Sequence, residues 1–180
     1  KDSDDPDLFK AYLKQFPDGN FEVIAKSKIS KLGGDESTVV RTVIPSLNYG
    51  KYYALVIGNN RYPHLGDLKT AINDANVVAK TLEQDYDFEV TRKINATRED
   101  ILKEIQSLRS RVGKNDNVLI YYAGHGYLDN AAQEGYWLPV DAKNGDSSNW
   151  LSTDRVVGQI RGMQAKHVMV VADSCFSGTL

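Results

Sequence analysis

The chain carries a single thiol, Cys175, and three imidazoles, His64, His125 and His167. A thiol becomes a useful nucleophile when a neighbouring imidazole takes its proton or stabilises the thiolate. His167 opens the apolar segment His167–Ala172 that leads to the cysteine. In an extended strand the intervening eight residues hold it roughly 26 Å from Cys175, at the wrong end. His64 sits in a Tyr62-Pro63-His64 turn with no special backbone signal. His125 directly follows the apolar run Val118–Ala123 and stands between Gly124 and Gly126. Glycines there let the backbone come close to a substrate. His125 with Cys175 is therefore the pair that points to thiol chemistry. Acyl transfer also needs donors for the developing oxyanion, each worth about 3–4 kcal/mol when well placed. The backbone N–H groups of Gly126 and Cys175 are the candidates, since both are expected where strands stop pairing.

Metal chemistry has little to stand on. One cysteine and three scattered histidines do not match the usual spacing of a zinc site. Asp129, Glu134, Asp141 and Asp146 form no recognisable calcium loop, and no cofactor is expected.

The elements that must position His125 and Cys175 alternate between strand and helix. Tyr52–Ile57 is a continuous apolar run closed by Gly58, as in a strand buried on both faces. A helix is predicted over 69–84, a strand over Phe88–Ile94, and a helix from Thr97, whose spacing to Asp100 suits a capping box. Ile101, Ile105, Leu108 and Val112 make one apolar stripe on that helix. Val118–Ala123 is the next buried strand, Tyr136–Val140 a short strand or hairpin arm, and Ser152 or Thr153 a cap for a helix to about 161. The pattern predicts an α/β domain with a mostly parallel sheet, whose ligand site lies beyond the carboxyl ends of the strands. Gly58-Asn59-Asn60, Gly124-His125-Gly126 and Cys175 all fall at such ends.

Before this domain, residues 1–34 read as a helix-turn-helix segment. Asp5-Pro6 starts it, Pro17-Asp18-Gly19 interrupts it and Gly33-Gly34 ends it. Residues 35–50 read as a linker and 51–180 as the catalytic domain.

Two blocks, Tyr122-Ala123-Gly124-His125-Gly126 and Asp173-Ser174-Cys175-Phe176-Ser177-Gly178, resemble the signature blocks of caspase-like cysteine peptidases, closest to metacaspases and their bacterial relatives. The histidine precedes the cysteine by 50 residues, the caspase spacing. Ala54–Gly58, Asn59-Asn60 and Ala71-Ile72-Asn73-Asp74-Ala75 resemble the family's first strand and helix. Phe176 stands where many metacaspases have histidine, and the Ala-Cys-Arg-Gly segment of true caspases is absent. The resemblance implies a caspase-like three-layer sandwich and a cysteine endopeptidase acting on protein or peptide substrates. It also implies autoprocessing and a C-terminal small subunit of the same precursor, packing beside the 167–172 strand. Calcium activation occurs in some metacaspases, but no motif here supports it.

The same resemblance puts Asp173 and Asp74 in the S1 pocket. Two carboxylates suit Arg or Lys before the cut. Arg61 is the nearest candidate for the opposite preference, cleavage after Asp. Two other readings compete. One is a catalytically silent caspase-like scaffold or sensor; the other is a related peptidase fused to helical repeats, which residues 1–32 keep open.

Composition narrows the class. The 180 residues are 41% hydrophobic and 26% charged, with net charge −2 and pI near 5.9. That gives no reason to expect nucleic acid or an anionic membrane as partner. A lone cysteine excludes an internal disulfide and fits a reducing, cytoplasmic compartment. The chain opens on Lys1 without a signal-peptide pattern, which reads as a fragment or processed product.

Overall fold

Alternate residues of the two most apolar runs feed two separate cores. In β1 (Tyr52–Gly58), Tyr53, Leu55 and Ile57 join Val118, Ile120 and Tyr122 of β3 (Asn117–Ala123) in one cluster. Ala54 and Val56 join Tyr121 and Ala123 in the other. Successive strand residues face opposite ways, so these strands are covered on both sides. The computed structural model describes residues 5–16, 21–32 and 50–174.

One cover is α3 (Ala71–Asp85), which faces the sheet through Ala71, Ala75 and Ala79. Their spacing of four keeps them on one face, and their small size lets helix and sheet approach closely. A Cβ on Gly58 would come 2.6 Å from the Ala75 methyl and 2.8 Å from the Ala71 carbonyl. The first strand must therefore end in glycine under this helix.

The opposite cover is α4 (Arg98–Arg111), through Ile101, Ile105 and Leu108, with Val156 of α5 (Thr153–Arg161). Thr97 and Asp100 form the capping box: the threonine Oγ1 accepts the Asp100 N–H at 3.2 Å, and the carboxylate accepts the Thr97 N–H at 3.0 Å. Ser152 caps α5 by accepting the Arg155 N–H at 3.2 Å.

The sheet runs β2-β1-β3-β7, all parallel, with β2 at Glu89–Ile94 and β7 at His167–Asp173. The chain passes from β1 outward to β2, then back across β1 to β3. Reversing direction while keeping right-handed crossovers sends α3 and α4 to opposite faces. The result is the three-layer helix–sheet–helix sandwich. The reversal also leaves a crevice between the carboxyl ends of β1 and β3, where open α/β sheets bind ligands.

At the other end of the sheet Asp116 gathers three strands. Its carboxylate accepts the N–H groups of Lys51 and Gly113, each at 2.8 Å, and its carbonyl accepts the Lys166 N–H at 2.8 Å. His167 lies opposite Asn117 at this amino end, away from the crevice, as its place in the sequence predicts.

Lys1–Leu47 and Asn48–Leu180 are separate compact units. In the first, α1 (Pro6–Gln15) is capped by Asp5, whose carboxylate accepts the Asp7 N–H at 3.0 Å. Tyr12 of α1 meets Phe16 and also Phe21, which precedes α2 (Glu22–Lys31), with ring centroids 5.4 and 6.4 Å apart. The predicted breaks at Pro17-Asp18-Gly19 and Gly33-Gly34, and nearly all of the 35–50 linker, lie outside the described residues.

Candidate active site

The chain does not stop pairing after β3. It turns at Gly124, and His125 begins β4 (His125–Asp129), antiparallel to β5 (Glu134–Leu138), which in turn pairs with β6 (Leu151–Ser152). Gly126 is buried within β4, opposite Trp137. The expectation that its N–H lies at the frayed end of a strand therefore holds only for the parallel sheet. Two glycines around the histidine lower the local strand signal, and the pairing comes from a hairpin partner a dozen residues away.

His125 is held from three sides. Its Nε2 lies 2.6 Å from the carbonyl oxygen of Gly66, in the loop after β1. A carbonyl can only accept, so Nε2 carries the proton and the lone pair of the neutral ring sits on Nδ1. The backbone N–H of His125 donates to the Tyr62 hydroxyl at 3.0 Å, and the Tyr62 ring meets the imidazole edge-on at 4.6 Å between centroids. Tyr122 directs its hydroxyl between the carbonyls of His125 (2.9 Å) and Leu138 (2.8 Å). Its ring stacks on Trp137 at 4.5 Å. Burial, more than any neighbour, pushes both tyrosine hydroxyls above their ordinary pKa, so both stay protonated at neutral pH.

These tyrosines also explain Gly124. A Cβ there would sit 2.6 Å from the Tyr122 hydroxyl and 2.7 Å from that of Tyr62. The glycine makes room for the clamp on the histidine, rather than for a substrate.

The Asn-Asn pair after β1 fixes the loop that supplies Tyr62 and Gly66. Asn59 is completely buried; its Oδ1 accepts the Ala96 N–H at 2.8 Å, and its own N–H donates to the Ala123 carbonyl at 2.9 Å. Asn60 accepts the Ile72 N–H at 3.1 Å, and Asn95, at φ 52°, accepts the N–H groups of Asn60 and Arg61, each at 3.0 Å. Asp67 closes the loop by accepting the Tyr62 N–H at 2.8 Å. Asparagine is among the few residues at ease in the left-handed region, the one local sign of this arrangement.

Asp173 ends β7, and its Oδ2 accepts the Tyr121 hydroxyl at 2.8 Å. Asp74 lies half-buried in the first turn of α3. Burial first, then the Asp173 hydrogen bond and charge and the Asp74 charge, push the Tyr121 hydroxyl far above its ordinary pKa. Both carboxylates thus act on one phenol at the carboxyl edge of the sheet. Cys175 lies outside the described residues, two positions beyond the end of β7. His64 and Arg61 are exposed in the loop after β1.

Among the described residues no three His, Cys, Asp or Glu groups gather in a way that could hold a metal ion. The four acidic loop residues have protein partners instead: Asp129 caps the 131–132 turn, Glu134 accepts from Tyr136, Asp141 from the Arg98 N–H and Asp146 from the Ser148 N–H. No helix among the described residues is long and apolar enough to cross a membrane.

A parallel sheet between helical layers, with a histidine anchored at the switch point of the strands, is a caspase-like arrangement. Residues 51–180 match the family described as the caspase domain, and the chain belongs to that family of cysteine peptidases. Metacaspase-1 of Pyricularia oryzae is 28% identical over 149 residues, taking in 72% of this chain and 37% of that protein. The human mucosa-associated lymphoid tissue lymphoma translocation protein 1 is 28% identical over 123 residues, 68% of this chain and 15% of the other. The crystal structure of a Geobacter sulfurreducens protein matches with a TM-score of 0.60 at 26% identity, covering 72% of this chain and 52% of that one. The chain spans little more than a third of that metacaspase.

Proposed function

We propose that this protein is a cysteine endopeptidase that cuts protein or peptide chains after Arg or Lys, with Cys175 as nucleophile and His125 as general base. The observation that supports this reading most is the anchoring of His125. With Nε2–H committed to the Gly66 carbonyl, the lone pair on Nδ1 is the free basic site of the ring. In this reading His125 takes the Cys175 proton as sulfur attacks the scissile carbonyl, and the N–H groups of Gly126 and Cys175 stabilise the oxyanion. The imidazolium then returns the proton to the leaving amine, which departs and leaves a thioester. Water, deprotonated by His125, hydrolyses the thioester and restores the thiol. These steps need no cofactor.

Asp74 and Asp173 form the S1 pocket in this reading. Two carboxylates around the Tyr121 hydroxyl make a site for a guanidinium or ammonium group. The reading also includes a C-terminal small-subunit segment beside β7. Among the described residues β7 is an edge strand, with Met169 60% and Val170 41% exposed. Folded proteins avoid leaving such an edge bare.

A set of fluorogenic peptides that vary only the residue before the scissile bond tests the proposal on the intact protein. Arg and Lys substrates should be cut and Asp substrates left. Cys175→Ala and His125→Ala should each lose at least about a hundredfold in kcat, since the two act as a unit. Efficient cleavage after Asp overturns the S1 assignment. No turnover, and no labelling by a thiol-directed peptide electrophile, would leave a silent scaffold.

A further inference from the structure

We infer that the cleft between the loop after β1 and α3, bordered by Arg61 and Lys69, receives an acidic side chain of the substrate on the leaving-group side of the cut. The inference rests on the peptidase reading above and adds a second specificity site to it.

The cleft has a volume of about 410 Å³ and is lined by Asn60, Arg61, Asp67, Lys69, Asn73 and Asn76 around Leu68 and Ile72. Two cations face one carboxylate, in a chain that is acidic overall. The carboxylate is partly committed, because Asp67 Oδ1 accepts the Tyr62 N–H. Among the described residues neither Arg61 nor Lys69 forms an ion pair. Solvated surface cations are common, but here both border a concave site. Asn76 is oriented by Arg92, which donates to its Oδ1 at 3.2 Å and leaves its amide N–H groups available as donors. An Arg, a Lys and an amide donor together suit a carboxylate.

Its position gives the cleft a role. A general acid that protonates the leaving amine must lie on the leaving-group side of the scissile bond. Past His125, on the side of β3 away from β7, come β1 and its loop. Gly66, whose carbonyl holds the imidazole, is followed directly by Asp67, Leu68 and Lys69 of the cleft wall. Three residues of extended chain reach about 10 Å, so the first three residues after the cut are those in range. Asp74 and Asp173 act on Tyr121 of β3 instead, so in this reading the acidic S1 site and the basic cleft are separate and recognise opposite charges.

The test uses the intact protein and internally quenched peptides with Arg before the cut and Asp, Glu, Ala or Lys at each of the three following positions. The expected result is a ratio of kcat/KM for Asp or Glu over Lys of about fivefold at one position, the size of an exposed ion pair. Raising ionic strength from about 0.05 to 0.5 M should shrink it, since exposed charges are screened. In Arg61→Glu and Lys69→Glu, separately and together, the ratio should fall to unity or invert. Both sites are exposed, and the ratio within each variant is independent of how much folded enzyme is present. Equal cleavage of all these Arg peptides overturns the inference and leaves the peptidase reading intact. An acidic preference that persists in the double variant overturns the assignment to this cleft. Failure to cut any peptide overturns both.

Discussion

The hydroxyl of Tyr62 accepts the backbone N–H of His125 at 3.0 Å, and its ring packs edge-on against the imidazole. The residues lie 63 positions apart, on the loop after β1 and at the start of β4. One side chain thereby fixes both the backbone and the ring of the proposed base. Tyr62→Phe keeps the ring contact and strands the His125 N–H. It should lower stability by about 1–3 kcal/mol, the cost of an unsatisfied buried donor. It should also lower kcat by about tenfold with little change in KM, which peptide kinetics on the folded fraction will separate. An unaltered kcat would show that the hydroxyl supports only the fold.

Asp173 and Tyr121 should divide their effects differently. Asp173→Asn removes a charge from the proposed S1 site and should cost at least about tenfold in kcat/KM for Arg substrates. Asp74→Asn should act in the same direction. Tyr121→Phe removes only the hydrogen bond to Asp173 and should cost less. Equal kinetics for Asp173→Asn and the unmodified protein would place substrate recognition elsewhere.

Gly124→Ala tests the clamp from the steric side. Its methyl would overlap the hydroxyls of Tyr62 and Tyr122, and overpacking of this kind costs about 1–3 kcal/mol. Combining it with Tyr62→Phe removes one of the two clashes. The double variant should therefore lose less stability than the sum of the singles, a coupling that denaturation midpoints will measure.

Acid should weaken the fold through Asp116 and Asp100. The Asp116 carboxyl is held below its ordinary pKa, chiefly by the Lys51 N–H and then by that of Gly113; Asp100 is lowered mainly by its Thr97 hydrogen bonds. Both bind protons more weakly folded than unfolded, so their contribution is complete above the unfolded value of about 4. It is lost as pH falls from there through the lower folded values. Asp116→Asn turns one acceptor toward an N–H as a donor. It should cost about 1 kcal/mol at neutral pH, a modest figure because the site is partly solvated. Urea midpoints from pH 7 to 3 should fall less steeply for the variant than for the parent.

Most of the scaffold is legible in the sequence because its signals are local. Apolar runs ending in glycine mark β1 and β3, apolar residues at i, i+4 and i+7 mark the buried face of α4, and Thr97 with Asp100 marks a helix start within a residue. Parallel strands must share a carboxyl edge, so the chain order also brings His125 and the end of β7 to the same side of the sheet. What the sequence could not decide depends on contacts between distant segments. His125 and Gly66 are 59 residues apart, Tyr121 and Asp173 are 52, and Asn59 and Ala96 are 37. A carbonyl acceptor leaves no mark in residue type, which is why Gly66 passes unnoticed as an ordinary loop glycine. Gly124 reads as room for a substrate until two tyrosine hydroxyls arrive where its Cβ would be. The β4 strand is hidden by the glycines on either side of His125, because its stability lies in pairing with β5 rather than in its own propensity. Residue types and periodicity name the proposed base; the folded chain decides which of its nitrogens is free, since that depends on which distant carbonyl reaches the other.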